Sequence, residues 1–230
     1  MLKKLVLFDI DGTLLKVGSV NRRILVDALR EVYGTPGSAE SHNFAGKMDS
    51  VIIFEVLRNA GLPDEEIAAL FDKARETYIE MFRSNTRPSD VTLLAGVREL
   101  LEELSGMPEL FLGLLTGNFE ESGRHKLELP GINHFFPFGA FADDGRHRNE
   151  LPPAAVEKAF WITGKIFTGK DVVIIGDTEH DVMCARTHKA RSIAVASGTY
   201  SAEELKKHEP DVLFENLSST GVVINEILRP

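Results

Sequence analysis

Four short apolar runs, separated by segments with helical periodicity, constrain this chain more than any other feature of its sequence. They occupy residues 5–8, 110–115, 172–175 and, more weakly, 192–195. Short continuous apolar runs are typical of strands that are buried on both faces of a parallel sheet. Because these runs alternate with helical patterns, the sequence predicts an α/β fold with a doubly wound, mostly parallel sheet.

The segment between the first two runs is too long to be a single crossover helix. Apolar residues recur at spacings of three and four within residues 22–33, 50–59 and 64–82. This periodicity predicts three or four helices, which we expect to form a small cap inserted after the first strand. The predicted α/β core therefore comprises residues 1–16 and 89–230, and the predicted helical cap comprises the intervening residues 17–88.

The balance of charge argues against nucleic acid and membrane surfaces as partners. The 230 residues include 26 Lys and Arg against 35 Asp and Glu, for a net charge of −9. Such a chain can still bind small anions, but it needs a local site or a metal ion to do so. Cys184 is the one cysteine, so the chain cannot form an internal disulfide, which fits a reducing compartment. No apolar run approaches the roughly 18 residues of a membrane span. We therefore expect a cytoplasmic protein. Whether it is a monomer or a homodimer stays open.

Two carboxylates follow the first apolar run directly, in the segment Asp9-Ile10-Asp11-Gly12-Thr13. In open α/β sheets, ligands bind at the carboxyl ends of the strands, so these acids lie where chemistry is expected. Two acids at this spacing can converge on one Mg²⁺, which prefers oxygen ligands. A solvated acidic turn is the alternative interpretation of this short motif taken alone.

The second apolar run ends in residues that could bind an anion. Thr116-Gly117-Asn118 supplies a hydroxyl and the first free backbone N–H groups of a following helix. Thr116 taken alone could equally be an ordinary helix N-cap.

The third run is followed by two further acids, Asp177 and Asp181, whose spacing of four residues places both on one face of a helix. A favourable interaction with the helix dipole would explain either acid by itself. It does not explain why a second strand end also carries carboxylates. We therefore expect Asp9, Asp11, Asp177 and Asp181 to contribute to a single Mg²⁺ site.

Taken in order, these motifs resemble those of the haloacid dehalogenase-like hydrolase superfamily, from the first strand to about residue 194. The helical insertion is similar to the cap of its phosphoglycolate phosphatase and β-phosphoglucomutase-like members. The resemblance implies that Asp9 is the nucleophile and that Asp11 is the general acid and base. It also implies that Thr116, Gly117 and Asn118 hold the phosphoryl group. Asp177 would complete the Mg²⁺ site with Asp9 and the main-chain carbonyl of Asp11, while Asp181 would support it.

The basic residue of the superfamily's third motif is usually a lysine, but residues 145–152 contain none. We assign this role to Arg148, because the residues after it then open the next helix as the motif requires. Arg146 is the alternative. Either cation would offset negative charge on Asp9 and on the phosphoryl oxygens, and an arginine can do so with two hydrogen bonds.

The resemblance implies an Mg²⁺-dependent phosphatase that acts on a small phosphorylated metabolite through a phosphoaspartate. An acid at position 11 indicates phosphate esters, since a dehalogenase has no ester leaving group to protonate. A phosphomutase with the same nucleophile is the first alternative, and a phospho-accepting regulatory module is a more distant one. Lys47, in a cap loop, could reach an anionic substrate tail or could simply be solvated. We expect Trp161 to lie in the core.

Overall fold

The computed structural model describes residues 3–230. In that range the strands are β1 (Lys4–Phe8), β2 (Leu15–Val17), β3 (Val91–Leu93), β4 (Leu110–Leu115), β5 (Gly139–Ala140), β6 (Val172–Gly176), β7 (Arg191–Val195) and β8 (Val212–Phe214). The helices are α1 (Val20–Tyr33), α2 (Asp49–Arg58), α3 (Asp64–Asn85), α4 (Val97–Ser105), α5 (Glu120–Glu128), α6 (Leu151–Thr163), α7 (Glu179–Thr187), α8 (Ala202–Lys206) and α9 (Thr220–Leu228).

The main sheet has six strands in the order β5-β4-β1-β6-β7-β8, and all of its neighbouring strands are parallel. Strand β1 lies inside this sheet, and its side chains alternate between two apolar clusters. Leu5 and Leu7 pack on the face covered by α6 and α7, whereas Val6 and Phe8 pack on the face covered by α4, α5 and α9. Because both faces are covered, the strand is apolar throughout, and the predicted doubly wound fold is confirmed.

Helices α1, α2 and α3 form the cap, which is inserted between β2 and β3. These two strands pair antiparallel, with Leu15 opposite Leu93 and Val17 opposite Val91. The cap therefore leaves and rejoins the core through one two-stranded ribbon. Its predicted limits, residues 17 and 88, fall at the end of β2 and just before β3, and they stay a prediction.

Helix α3 continues to Asn85, three residues beyond the end that periodicity predicts. It stops where Thr86 and Arg87 adopt extended backbone conformations. Arg87 precedes Pro88, and a residue before proline is disfavoured in the helical region, which explains why the helix cannot continue.

The expectation that Trp161 lies in the core is wrong, since 76% of its surface is exposed. Helix α6 packs against the sheet through Leu151, Ala155 and Ala159, all of which are buried. Trp161 lies on a different face of that helix. Among residues 3–230, no helix is both long enough and apolar enough to cross a bilayer.

Candidate active site

Strand β1 determines where the site lies, because β4 and β6 flank it on either side. Phe8, its last residue, pairs with Leu114 on one side and with Ile175 on the other. The residues that follow these three strands therefore emerge at one edge of the sheet. This arrangement brings together three of the predicted site residues, which are Asp9, Thr116 and Asp177.

Three carboxylates form a compact cluster at this edge. Asp9, Asp177 and Asp181 are buried, and each offers a carboxylate oxygen within 4.8 Å of the other two. Burial, with the nearby charges of Asp9 and Asp181, raises the pKa of Asp177 to about 8. Burial also raises the pKa of Asp9 to about 6, although Arg148 acts in the opposite direction. This concentration of negative charge on oxygen ligands fits a hard divalent cation.

Asp181 differs from the other two acids in that protein donors already engage it. One oxygen accepts hydrogen bonds from the Thr178 backbone N–H at 3.1 Å and from the Thr178 hydroxyl at 2.8 Å. Its other oxygen accepts from the Arg148 guanidinium. Asp181 thus caps helix α7 and orients Arg148, an arrangement that fits the predicted supporting role.

The structure brings Arg148, rather than Arg146, to the carboxylate cluster. The buried Arg148 guanidinium lies 3.3 Å from Asp9 and also donates to the Gly46 carbonyl in the cap at 3.1 Å. Burial acts to lower the pKa of Arg148, but Asp181 and Asp9 outweigh it and raise this pKa. The Arg148 Nε is buried with no hydrogen-bond partner in the described part of the chain. Arg146 is exposed on the surface.

The side chain of Asp11 lies apart from the three-carboxylate cluster and contacts helix α5 instead. The Lys126 Nζ lies 3.0 and 2.8 Å from the two Asp11 oxygens, and the Asn118 amide donates to one of them at 2.8 Å. Sequence reasoning missed Lys126, because a lysine in a charged helix normally faces solvent. The contribution of Asp11 to the metal site, through its main-chain carbonyl, stays a prediction.

The cap loop that contains Lys47 packs directly on the residues after β4. The Asp49 N–H donates to the Gly117 carbonyl at 2.7 Å, and the Asp49 carboxylate accepts from the Phe119 N–H at 3.0 Å. A Cβ on Gly117 would lie 2.2 Å from the Lys47 carbonyl oxygen, so only glycine permits this approach. Asp49 therefore joins the cap to the predicted phosphate loop.

Lys47 lies near the site, as predicted, but its ammonium group is paired with other side chains of the cap. Its Nζ donates to Glu55 at 2.6 Å and contacts His42 at 3.1 Å. Within a cavity of about 400 Å³, core residues such as Asp9 and Thr116 face cap residues such as Arg22 and Lys47. A cavity of this size is suited to a small metabolite.

Residues 6–195 match the family model described as haloacid dehalogenase-like hydrolase, and the chain therefore belongs to that family. This match includes every predicted catalytic and metal-binding residue. The sequence-based identification of the family is confirmed, and with it the expectation that the protein is an enzyme, a hydrolase.

Named relatives align over nearly their whole length. Pyrophosphatase PpaX of Bacillus velezensis is 28% identical over 226 residues, covering 94% of this chain and 96% of that protein. Phosphoglycolate phosphatase of Vibrio cholerae serotype O1 is 24% identical over 225 residues, covering 96% of each. The solved structure of β-phosphoglucomutase from Clostridium difficile superposes with a TM-score of 0.68 at 18% identity, covering 99% of this chain and 97% of that one. This last likeness supports the fold.

Replacing Gly12 with alanine should weaken both the fold and the site. Gly12 has φ +87°, and an added Cβ would lie 2.3 Å from the Asp177 carboxylate. The positive φ costs about 1 kcal/mol for alanine, and Asp177 must also move. We expect Gly12→Ala to have a lower melting temperature and to lose most of its activity.

Gly34→Ala is the matched control for Gly12→Ala. Gly34 has φ +74°, but its added Cβ would meet no atom within 4 Å. This variant should lose similar stability from backbone strain while keeping its turnover number. If the two alanine variants lost the same activity, the loss in Gly12→Ala could not be attributed to displacement of the Asp177 carboxylate, and this prediction would be wrong.

Proposed function

We propose that this protein is an Mg²⁺-dependent phosphatase that hydrolyses a small phosphorylated metabolite through a phosphoaspartate on Asp9. The observation that supports this best is the surroundings of Asp9 beside the 400 Å³ cavity. Its carboxylate lies within 4.8 Å of Asp177 and Asp181 and 3.3 Å from Arg148. A nucleophile, a cation-binding cluster and a fixed positive charge thus occupy one small volume.

The oxygen ligands of this cluster suit Mg²⁺. Asp9, Asp177 and the main-chain carbonyl of Asp11 would hold the ion. When bound, it would offset the negative charge of the nucleophile and of the phosphoryl oxygens. A carboxylate otherwise attacks a phosphate dianion poorly, because both carry negative charge.

In the first step the Asp9 carboxylate forms a bond to phosphorus, and the bond from phosphorus to the leaving oxygen breaks. Asp11 donates a proton to that oxygen. In the second step Asp11 takes a proton from water, whose oxygen attacks phosphorus and releases Asp9 and inorganic phosphate. Thr116 and Arg148 would bind the phosphoryl oxygens through both steps, since phosphoryl transfer depends mainly on positioning and charge stabilisation.

Asp11→Asn should slow the turnover of alkyl phosphates by about 10² to 10⁴, because general acid–base catalysis typically contributes that much. The amide can neither donate the required proton nor accept one from water. Steady-state assays of phosphate release would measure the loss. Unchanged turnover of an alkyl phosphate would remove Asp11 from the mechanism.

A screen of phosphorylated metabolites for Mg²⁺-dependent phosphate release tests the proposed activity. Phosphoglycolate and pyrophosphate are the first probes, because the named relatives are a phosphoglycolate phosphatase and a pyrophosphatase. Sugar phosphates and p-nitrophenyl phosphate extend the range. We expect release from at least one small substrate. If the folded protein released phosphate from none of them, the proposal would fail.

Product analysis in the same screen separates two other activities that use an aspartyl phosphate. A phosphomutase would convert a sugar phosphate to its isomer and release little free phosphate. A phospho-accepting regulatory module would remain phosphorylated and would not turn over. The proposed phosphatase should instead release one phosphate for each phosphate ester consumed, over many turnovers.

A further inference from the structure

Lys126 is a lysine that is almost completely buried, with only 1% of its surface exposed. Its ammonium group makes three short contacts, to Asp11 Oδ1 at 3.0 Å, to Asp11 Oδ2 at 2.8 Å and to Asn118 Oδ1 at 2.6 Å. Burying an ammonium group is costly unless such partners satisfy it. Lys126 therefore needs Asp11 and Asn118 to be stable in this position.

The same contacts hold Asp11 in place. Asn118 extends the network, because its amide donates to Asp11 at 2.8 Å and to the Thr116 hydroxyl at 2.8 Å. The Asp11 side chain is still 40% exposed, and it lines the active-site cavity. One side of the carboxylate is thus fixed by charged and neutral donors, while another side remains open to the cavity.

The cap excludes water from the far side of this network. The Phe82 ring of α3 lies 5.7 Å from the Lys126 ammonium, and the buried Tyr78 ring of the same helix packs against Phe82 with its centroid 5.8 Å away. Asp49, at the start of α2, is also close enough for its charge to interact with Lys126. The Lys126 ammonium is thus shielded from water, whereas the Asp11 carboxylate that it contacts stays open to the cavity.

We propose that Lys126 is a positioning residue, which holds the Asp11 carboxylate where it can transfer a proton to and from the reacting oxygens. The inference rests on the proposed function, since it assigns Lys126 a part in the proton transfers of Asp11. Lys126 itself forms and breaks no covalent bond. Its contribution lies in geometry, and a displacement of about 1 Å in a catalytic group can cost about 10² in rate.

Lys126→Met, which keeps an unbranched side chain only one heavy atom shorter and removes its charge, tests this role. The readout is kcat/KM for two kinds of substrate, because kcat/KM reports the steps up to leaving-group departure. For phosphoglycolate, or whichever alkyl phosphate the wild-type protein turns over fastest, we expect a loss of about 10²-fold. For p-nitrophenyl phosphate we expect a loss below about 3-fold, since nitrophenolate departs without protonation.

A double-mutant cycle separates positioning from a general structural effect. If Lys126 acts through Asp11, Lys126→Met should cause no further loss of kcat/KM for the alkyl phosphate in an Asp11→Asn background. The proposal would be overturned if the double variant lost kcat/KM by the product of the two single losses. An equal loss for both kinds of substrate in Lys126→Met would also overturn it. Lys126→Arg retains the charge and should show a smaller loss, which is again greater for the alkyl phosphate than for p-nitrophenyl phosphate. This variant provides the test if Lys126→Met does not fold.

Lys4→Met is the matched control, since Lys4 is also buried but lies at the opposite end of β1, where it donates to the Lys170 carbonyl at 2.8 Å. It should leave kcat/KM unchanged for both substrates. A wild-type protein that releases no phosphate would overturn the proposed function itself. A wild-type enzyme that depends on Asp11 but not on Lys126 would overturn this inference alone.

Discussion

Asp9→Asn should reduce phosphate release to the background rate, a loss of roughly 10⁵-fold or more. The amide nitrogen and oxygen of asparagine cannot form the phosphoaspartate, and no other carboxylate of the cluster is free to replace it. Asp181 is held by Thr178 and Arg148, and Asp177 is expected to bind the metal ion. Trapping radiolabelled phosphate on the acid-quenched protein would detect the intermediate in the wild type and its loss in the variant.

Stability measurements show whether that loss reflects chemistry or misfolding. Burial raises the pKa of Asp9 to about 6, so above that pH its ionised carboxylate destabilises the folded state. Asp9→Asn removes this charge, and without metal at pH 8 it should be at least as stable as the wild type. Asp27→Asn, a change at an exposed acid of α1, should keep full activity. Full activity in purified Asp9→Asn would end the proposed mechanism.

Chelation of divalent ions should abolish activity and make stability depend strongly on pH. The pKa of Asp177 is raised from 3.8 to about 8, so the folded state binds more protons than the unfolded state between these values. Without metal, stability should therefore fall as the pH rises through this window. Mg²⁺ at 100 times its dissociation constant should restore about 2.7 kcal/mol. Thermal unfolding from pH 5 to 9, with EDTA or Mg²⁺, measures both effects.

Asp177→Asn is the control for this second prediction. Without a carboxyl group at position 177, the decline in stability toward pH 8 should be smaller, and added Mg²⁺ should stabilise the protein much less. Binding of Mg²⁺ to the wild type near pH 7 should also release protons, which calorimetry in buffers of different ionisation enthalpy detects. If neither EDTA nor Mg²⁺ changed the melting temperature of the wild type at pH 8, this result would contradict the assigned metal site.

The central strands were predictable because each lies inside a parallel sheet that helices cover on both faces. Such strands are continuously apolar, and so β4 occupies the predicted residues while β6 and β7 differ from prediction by one residue at an end. The edge strands β5 and β8 were missed. They have only two and three residues in the sheet, too few for an apolar run to stand out.

The site residues that were predicted also depend on the central strands. Asp9, Thr116 and Asp177 each directly follow a central strand, and parallel strands place their carboxyl ends at one edge. Their proximity could be inferred from order along the chain. The roles assigned to them remain predictions until the variants above are measured.

The sequence by itself determined the family, the doubly wound core with its helical insertion, and the strand ends where chemistry would be found. Only the tertiary structure decided that Arg148 rather than Arg146 meets Asp9, that Trp161 is exposed, and that Lys126 contacts Asp11. Helical periodicity shows which residues share a face, but the packing of distant segments decides which face is buried. The contact between Asp11 and Lys126 joins residues 115 positions apart, and it requires α5 to pack beside the end of β1.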